Sequence, residues 1–166
     1  MNDKALIDLF REYLKYDESS PSFLRWAKSP MQRIKAGAVA GNIDCKGYWR
    51  LQLKGKDYLS HRVIYAIFNN YIPEIIDHID TDRKNNKITN LRKVSASQNQ
   101  FNRKINKNNR SGAKGMFWDE KRDEWVATIW KEKKIAYIGR FKNKKDAGEA
   151  LIINRRKLHG EFANNG

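Results

Sequence analysis

The chain has a single cysteine, Cys45, which excludes an internal disulfide and any zinc site built on two or more thiolates. The sequence therefore predicts a reduced, structural thiol. Long apolar runs are missing as well: the longest uninterrupted one covers residues 63–68, far short of a membrane span. The first residues, with Asp3 and Lys4 ahead of Ala5 and Leu6, lack the apolar stretch of a signal peptide. These absences predict a soluble, cytoplasmic protein with no membrane partner. Acidic residues are scarce, 19 against 34 Lys plus Arg, for a net charge of +15, and basic residues are in excess on both sides of residue 102. A polyanion is the expected partner. Charge alone also fits a basic protein with a well-solvated face, so a motif must stand beside it. Internal repeats and long low-complexity tracts are absent too.

With 166 residues, 40% of them hydrophobic, the chain can bury one modest core or two small ones. Leu6, Leu9, Phe10, Tyr13 and Leu14 recur at helical spacing over residues 4–16 and predict a short opening helix, ended by the polar, proline-containing stretch 17–22. Short strand-like pieces follow at 23–26, 48–53 and 58–59, punctuated by Gly37, Gly41, Gly47 and Gly55. Residues 61–69 suit a buried helix, and Pro73 marks a turn after it. Residues 75–80, a polar loop over 81–87, residues 90–94 and a helix-compatible run through Phe101 then read as strand, loop, strand, helix. The tract 102–112 holds Arg103, Lys104, Lys107 and Arg110 around one apolar residue and reads as a basic linker. Beyond it, residues 116–118, 125–130 and 136–141 predict an antiparallel three-stranded sheet. Asn143 caps a helix that runs to Gly160 and lays Ala147, Ala150, Leu151, Asn154 and Leu158 on it. The predicted class is α+β, divided into residues 1–101, a linker at 102–112, and residues 113–163.

Asp77-His78, Asn90-Leu91 and Asn99 supply the residue types that metal-assisted phosphodiester cleavage needs: hard oxygen ligands for a magnesium-like ion and an imidazole to take a proton from water. A histidine beside an aspartate is ordinarily a satisfied pair; the combination and its order carry the signal. His61-Arg62, Asp77-His78-Ile79-Asp80, Asn86, Asn90-Leu91-Arg92 and the run from Asn99 to Asn102 resemble the HNH endonucleases of bacteriophages, especially the homing type, over residues 20–103. The resemblance implies a small ββα-metal nuclease domain. It implies His78 as general base, Asp77 and Asn99 as metal ligands, and Asn90 as the middle asparagine that ties the hairpin loop and aims His78. The implied cofactor is a divalent ion, Mg2+ with Mn2+ as the alternative, and the implied products carry 3′-hydroxyl and 5′-phosphate ends. A phage-encoded enzyme of this kind acts in the cytoplasm of a bacterial host. His61 is read as packing near the site, His159 as structural at a helix C-terminus, and Asn85, Asn86 and Asn102 as turn and cap residues.

Residues 115–118, 125–129, 137–141 and 147–163 resemble the APETALA2/ethylene-response-factor DNA-binding domain, from about Ser111 to Ala163. The resemblance implies a sheet that enters the major groove, supported by the helix. Trp118, Lys121, Arg122, Trp125, Thr128, Trp130 and Tyr137 are then DNA contacts, beside Arg103, Lys104, Lys107 and Arg110 of the linker. Strand alternation puts Trp125, Ala127 and Ile129 on one face and Val126, Thr128 and Trp130 on the other, so a single set faces DNA.

The function expected from these readings is a metal-dependent endonuclease on double-stranded DNA, site-selective and of the phage homing type, with no protein partner implied. The alternative is a non-catalytic, sequence-specific DNA-binding regulator on a nuclease scaffold, for which Asp77, His78 and Asn99 have no use. An RNA-binding protein fits the charge and the tryptophans and leaves the same three residues unexplained.

Overall fold

The computed structural model describes residues 2–102, 105–106 and 108–164. The chain forms two compact units, Met1–Lys93 and Val94–Gly166.

In the first unit, helix α1 (Asp3–Tyr13) begins at Asn2, whose side chain accepts from the Ala5 amide at 2.9 Å. It buries Ile7, Phe10 and Tyr13 along one face. The predicted helix over 4–16 stops early because residues 14–16 leave as strand β1 (Leu14–Tyr16), antiparallel to β2 (Leu24–Trp26). A second sheet holds β3 (Asn42–Ile43), β4 (Trp49–Leu53) and β5 (Lys56–Leu59) in sequence order. Helix α2 (Ser60–Asn69) follows directly and ends in left-handed Asn70. Arg11 of α1 donates to the Ile67 carbonyl and the Asn70 side chain, at 2.5 and 2.6 Å, so it satisfies the open end of α2 and ties the two helices.

Phe10, Leu24, Leu51, Leu53, Val63, Ile64, Ile76 and Leu91 form one continuous core, each contributing roughly 1.5–3 kcal/mol by leaving water. That core is the floor beneath β6 (Ile76–His78) and β7 (Leu91–Lys93), an antiparallel pair joined by a long loop with a 3-10 turn at Ile88–Asn90. Cys45 is exposed in the turn ahead of β4, so the expected structural thiol has no packing role.

The second unit opens with helix α3 (Ala96–Phe101). Ser95 and Gln98 form a reciprocal capping box at its start. The units divide ahead of α3 and not in the basic tract, because α3 is fastened within the second unit: Phe101 stacks on His159 at 3.7 Å, and Asn164 donates to the Asn102 carbonyl at 2.9 Å. Strands β8 (Met116–Asp119), β9 (Glu124–Lys131) and β10 (Lys134–Phe141) form the expected three-stranded antiparallel sheet with β9 central. Helix α4 (Lys144–His159) starts at Asn143, which accepts from the Asp146 amide, and ends at Gly160. Ala147 and Leu151 pack on Met116, Ala127 and Ile129. Arg155 is buried on the same helix and donates to the Lys114 carbonyl at 2.6 Å. Gly115 lets β8 leave this corner: a Cβ there would sit 2.1 Å from the Thr128 carbonyl oxygen, at a φ of +71°.

Candidate functional site

On the β6–β7 ladder Asp77 lies opposite Arg92 and His78 opposite Leu91. Adjacent strand residues point to opposite faces, and the two side chains have different surroundings. Asp77 is buried and accepts through Oδ2 from Nε and Nη2 of Arg92, at 3.2 and 3.0 Å. His78 is also buried; its ring lies 5.1 Å from His61 and 6.1 Å from Tyr48, with Nε2 3.0 Å from Oδ1 of Asn86.

The loop leaving His78 turns at once, the Thr81 amide donating to the His78 carbonyl at 2.9 Å. Asn90 then closes it. Its Nδ2 donates to Asp80 Oδ1 and to the Asn85 carbonyl, at 2.9 and 2.8 Å, while its Oδ1 accepts from the Asp80 amide at 3.1 Å. Asp80 also accepts from Asn85 Nδ2 and the Asp82 amide, at 2.7 and 2.8 Å. Partial burial opposes ionisation of Asp80, but the donors from Asn90, Asn85 and the Asp82 amide outweigh it and hold the carboxyl below its ordinary value. The polar tract 80–90 is thus a closed hydrogen-bonded loop.

Two residues do more here than sequence reasoning assigned. Asn86, expected to be a turn or cap residue, is fully buried and contacts His78. An asparagine in a polar loop reads as turn chemistry, and nothing in its spacing reveals burial. His61, expected to pack near the site, is buried in ring contact with both His78 and Tyr48. Burial, reinforced by His78 and Arg62, pushes its imidazole down to about 3, and its Nδ1 has no hydrogen-bond partner among the described residues. Arg83 lies over the Tyr48 ring at 4.9 Å and donates to the Lys46 carbonyl, which places a cation at the rim of this cluster.

Among the described residues no three His, Cys, Asp or Glu side chains converge as they do around a structural zinc. A hard divalent cation held by one or two protein oxygens, with water and substrate phosphates completing its shell, needs no such cluster. In the first unit the Asp77 carboxylate has donor chemistry that fits such an ion; in the second unit the Asn99 side chain offers a neutral amide oxygen. Asn99 lies on α3, half-buried, its amide donating to the Ser95 carbonyl.

In the second unit the register separates the aromatic residues. Trp118 pairs with Trp125, Ala127 with Met116 and Gly139, and Ile129 with Tyr137. These lie on the side that α4 covers, where Trp125 and Tyr137 pack against the core. Trp118 meets Trp125 edge-on at 5.3 Å and Lys144 lies over the Trp125 ring at 5.5 Å. The opposite side carries Phe117, Val126, Thr128, Trp130, Ile138 and Arg140. Phe117, Trp130 and Ile138 there are 50, 55 and 54% exposed. Lys121, Arg122 and Arg110 are exposed, and Arg122 and Arg140 both pair with Asp119 at 3.2 Å. Arg103, Lys104 and Lys107 lie outside the described residues.

Among the described residues no helix is long and apolar enough to cross a membrane. No solved structure matches the chain. Residues 58–101 match the sequence model of the HNH endonucleases, a span that begins in β5 and ends with α3. Protein 3.8 of Escherichia phage T7 is 34% identical over 105 residues, which is 62% of this chain and 86% of that protein. The chain therefore carries an HNH endonuclease domain at residues 58–101 and is a homologue of the phage T7 protein.

Proposed function

We propose that this protein is a metal-dependent DNA endonuclease that hydrolyses phosphodiester bonds in double-stranded DNA at selected sites, as the phage homing-type enzymes do. The observation that carries the reading is the β6–β7 hairpin: adjacent Asp77 and His78 at the end of a buried strand, with the loop behind them closed by Asn90. Its position inside the HNH segment and the phage relative support it.

In this mechanism His78 accepts a proton from the attacking water. Asp77 and Asn99 are the residues that would hold a divalent ion, most simply Mg2+ with Mn2+ as the alternative, and that ion would stabilise negative charge on the phosphoryl oxygens and on the leaving 3′ oxygen. Asn90 acts through the backbone, keeping the 79–90 segment closed so that His78 stays aimed. In-line attack with departure of the 3′ oxygen leaves 3′-hydroxyl and 5′-phosphate ends. One such site cuts one strand per binding event, so a monomer nicks first.

The second unit is proposed as the DNA-binding module, of the APETALA2/ethylene-response-factor type. Sheet and helix are the elements that type requires. Within the predicted contacts, Thr128 and Trp130 on the open face are favoured to meet DNA, with Lys121, Arg122 and the basic tract reaching phosphates. Trp125 and Tyr137, packed under α4, are better assigned to holding the sheet.

The test is incubation of purified protein with supercoiled plasmid and phage DNA in magnesium, manganese or chelator. Open-circular product with a ligatable 5′-phosphate, abolished by chelator, is expected. Salt-sensitive binding with no cleavage of any substrate in either metal would favour the regulator reading.

A further inference from the structure

We infer that Asn86 is a positioning residue for His78, holding its imidazole in the tautomer with the proton on Nε2. The catalytic consequence rests on the nuclease reading; the Asn86–His78 hydrogen bond does not.

Asn86 is fully buried on the loop that Asn90 closes. Its Nδ2 faces the Ser22 carbonyl at 3.4 Å, and its Oδ1 faces His78 Nε2 at 3.0 Å. A main-chain carbonyl only accepts, so the donor end of the amide must face Ser22 and the acceptor end must face His78. The flipped amide would oppose two oxygens in a buried place and leave the NH2 group against the imidazole, at a cost no solvent relieves. Ser22 is itself held: the Ser22 and Ser20 hydroxyls both donate to the Leu24 carbonyl, at 2.9 and 2.8 Å, and both serines are buried. Orientation therefore runs from Ser22, in the turn ahead of β2, through Asn86 to His78.

An amide oxygen cannot donate, so Nε2 must carry the hydrogen of this bond. In a neutral imidazole the lone pair then resides on Nδ1, the nitrogen that can take a proton from water. Asn86 thus does by a side chain what an orienting partner of a catalytic histidine generally does. Its role differs from that of Asn90, whose side chain bonds Asp80 and the Asn85 carbonyl and acts on the loop.

The full-length protein, labelled with 15N at histidine, is examined by long-range proton–nitrogen NMR at mildly alkaline pH, where imidazole is neutral. The wild type should show the Nε2–H tautomer at His78. Asn86→Leu, similar in size and without an acceptor, should show a mixture of tautomers, with kcat for plasmid nicking lower by about 10- to 100-fold and KM little changed. An Nδ1–H tautomer in the wild type overturns the proposal, and so does an unchanged tautomer in folded Asn86→Leu. The wild-type spectrum decides the matter if the variant fails to fold. Absence of cleavage by the wild type, with the expected tautomer pattern intact, removes the nuclease reading and leaves the Asn86–His78 coupling standing.

Discussion

Arg92 faces Asp77 across the β6–β7 ladder and directs both Nε and Nη2 at the same carboxylate oxygen, Oδ2. Their side chains are only 14 and 10% exposed. A divalent ion bound by Asp77 would therefore share its ligand with a fixed guanidinium, which keeps the carboxylate oriented and compensated when no ion is present.

Arg92→Leu should expose that arrangement. Removing one partner of a buried pair costs about 3–5 kcal/mol, and the loss should be largest in chelator. Magnesium should then stabilise the variant more than the wild type, since Asp77 without the Arg92 guanidinium gains a counter-charge. Melting curves with and without magnesium check this; equal melting of variant and wild type in both conditions would show that the pair carries no stability.

Asn90→Ala removes two donors and one acceptor from the loop, takes the Asn90 partner from the Asp80 amide and the Asn85 carbonyl, and leaves the Asp80 carboxylate with one donor fewer. The expected cost is about 2–3 kcal/mol, with cleavage falling further than stability accounts for and DNA affinity nearly unchanged. Asn90→Asp should do no better, because it sets a second carboxylate against Asp80. Denaturant midpoints read beside nicking rates separate the two effects.

The buried His61 has a sign opposite to that of a histidine paired with a carboxylate. Its folded-state value is pushed down to about 3 against roughly 6.5 unfolded, so between these values the unfolded chain binds a proton that the folded chain does not. Its contribution is complete above pH ~6.5 and is lost as pH falls toward about 3, each unit of that interval contributing at most about 1.4 kcal/mol. His61→Phe should flatten this acid limb in a series of melting temperatures. An identical limb in the variant would place the acid sensitivity elsewhere.

The two faces of the C-terminal sheet should respond differently to substitution. Trp130 is 55% exposed, so Trp130→Ala should change stability by within about 0.5 kcal/mol while weakening DNA binding. Trp125 packs with the core under α4, and Trp125→Ala should cost about 3 kcal/mol, the lower end for aromatic truncation in a core. Gel-shift titrations and thermal melts of both variants distinguish the faces; unchanged DNA affinity in folded Trp130→Ala would remove it from the interface.

What was legible in the sequence was whatever depends on local chemistry. The capping residue Asn143, the stop at Gly160, the three strands after residue 115 and the order Asp77-His78, Asn90, Asn99 could all be read from residue type and spacing, and it was the resemblance of that order to the HNH endonucleases that pointed to the HNH domain. What was not legible depends on partners distant in sequence. The pairing of β1 with β2 cut the first helix short, Phe101 on His159 drew α3 into the second unit, and Ser22 received Asn86 from 64 positions away. Alternation could divide the sheet residues into two faces, but only the position of α4 says which face is covered.

The central claim, that His78 is the base of a metal-dependent nuclease, is tested most directly by assaying wild type and His78→Ala side by side on supercoiled DNA with magnesium, together with a binding titration. The account predicts metal-dependent nicking by the wild type alone, with the variant binding DNA nearly as tightly. Cleavage by folded His78→Ala at the wild-type rate would contradict it.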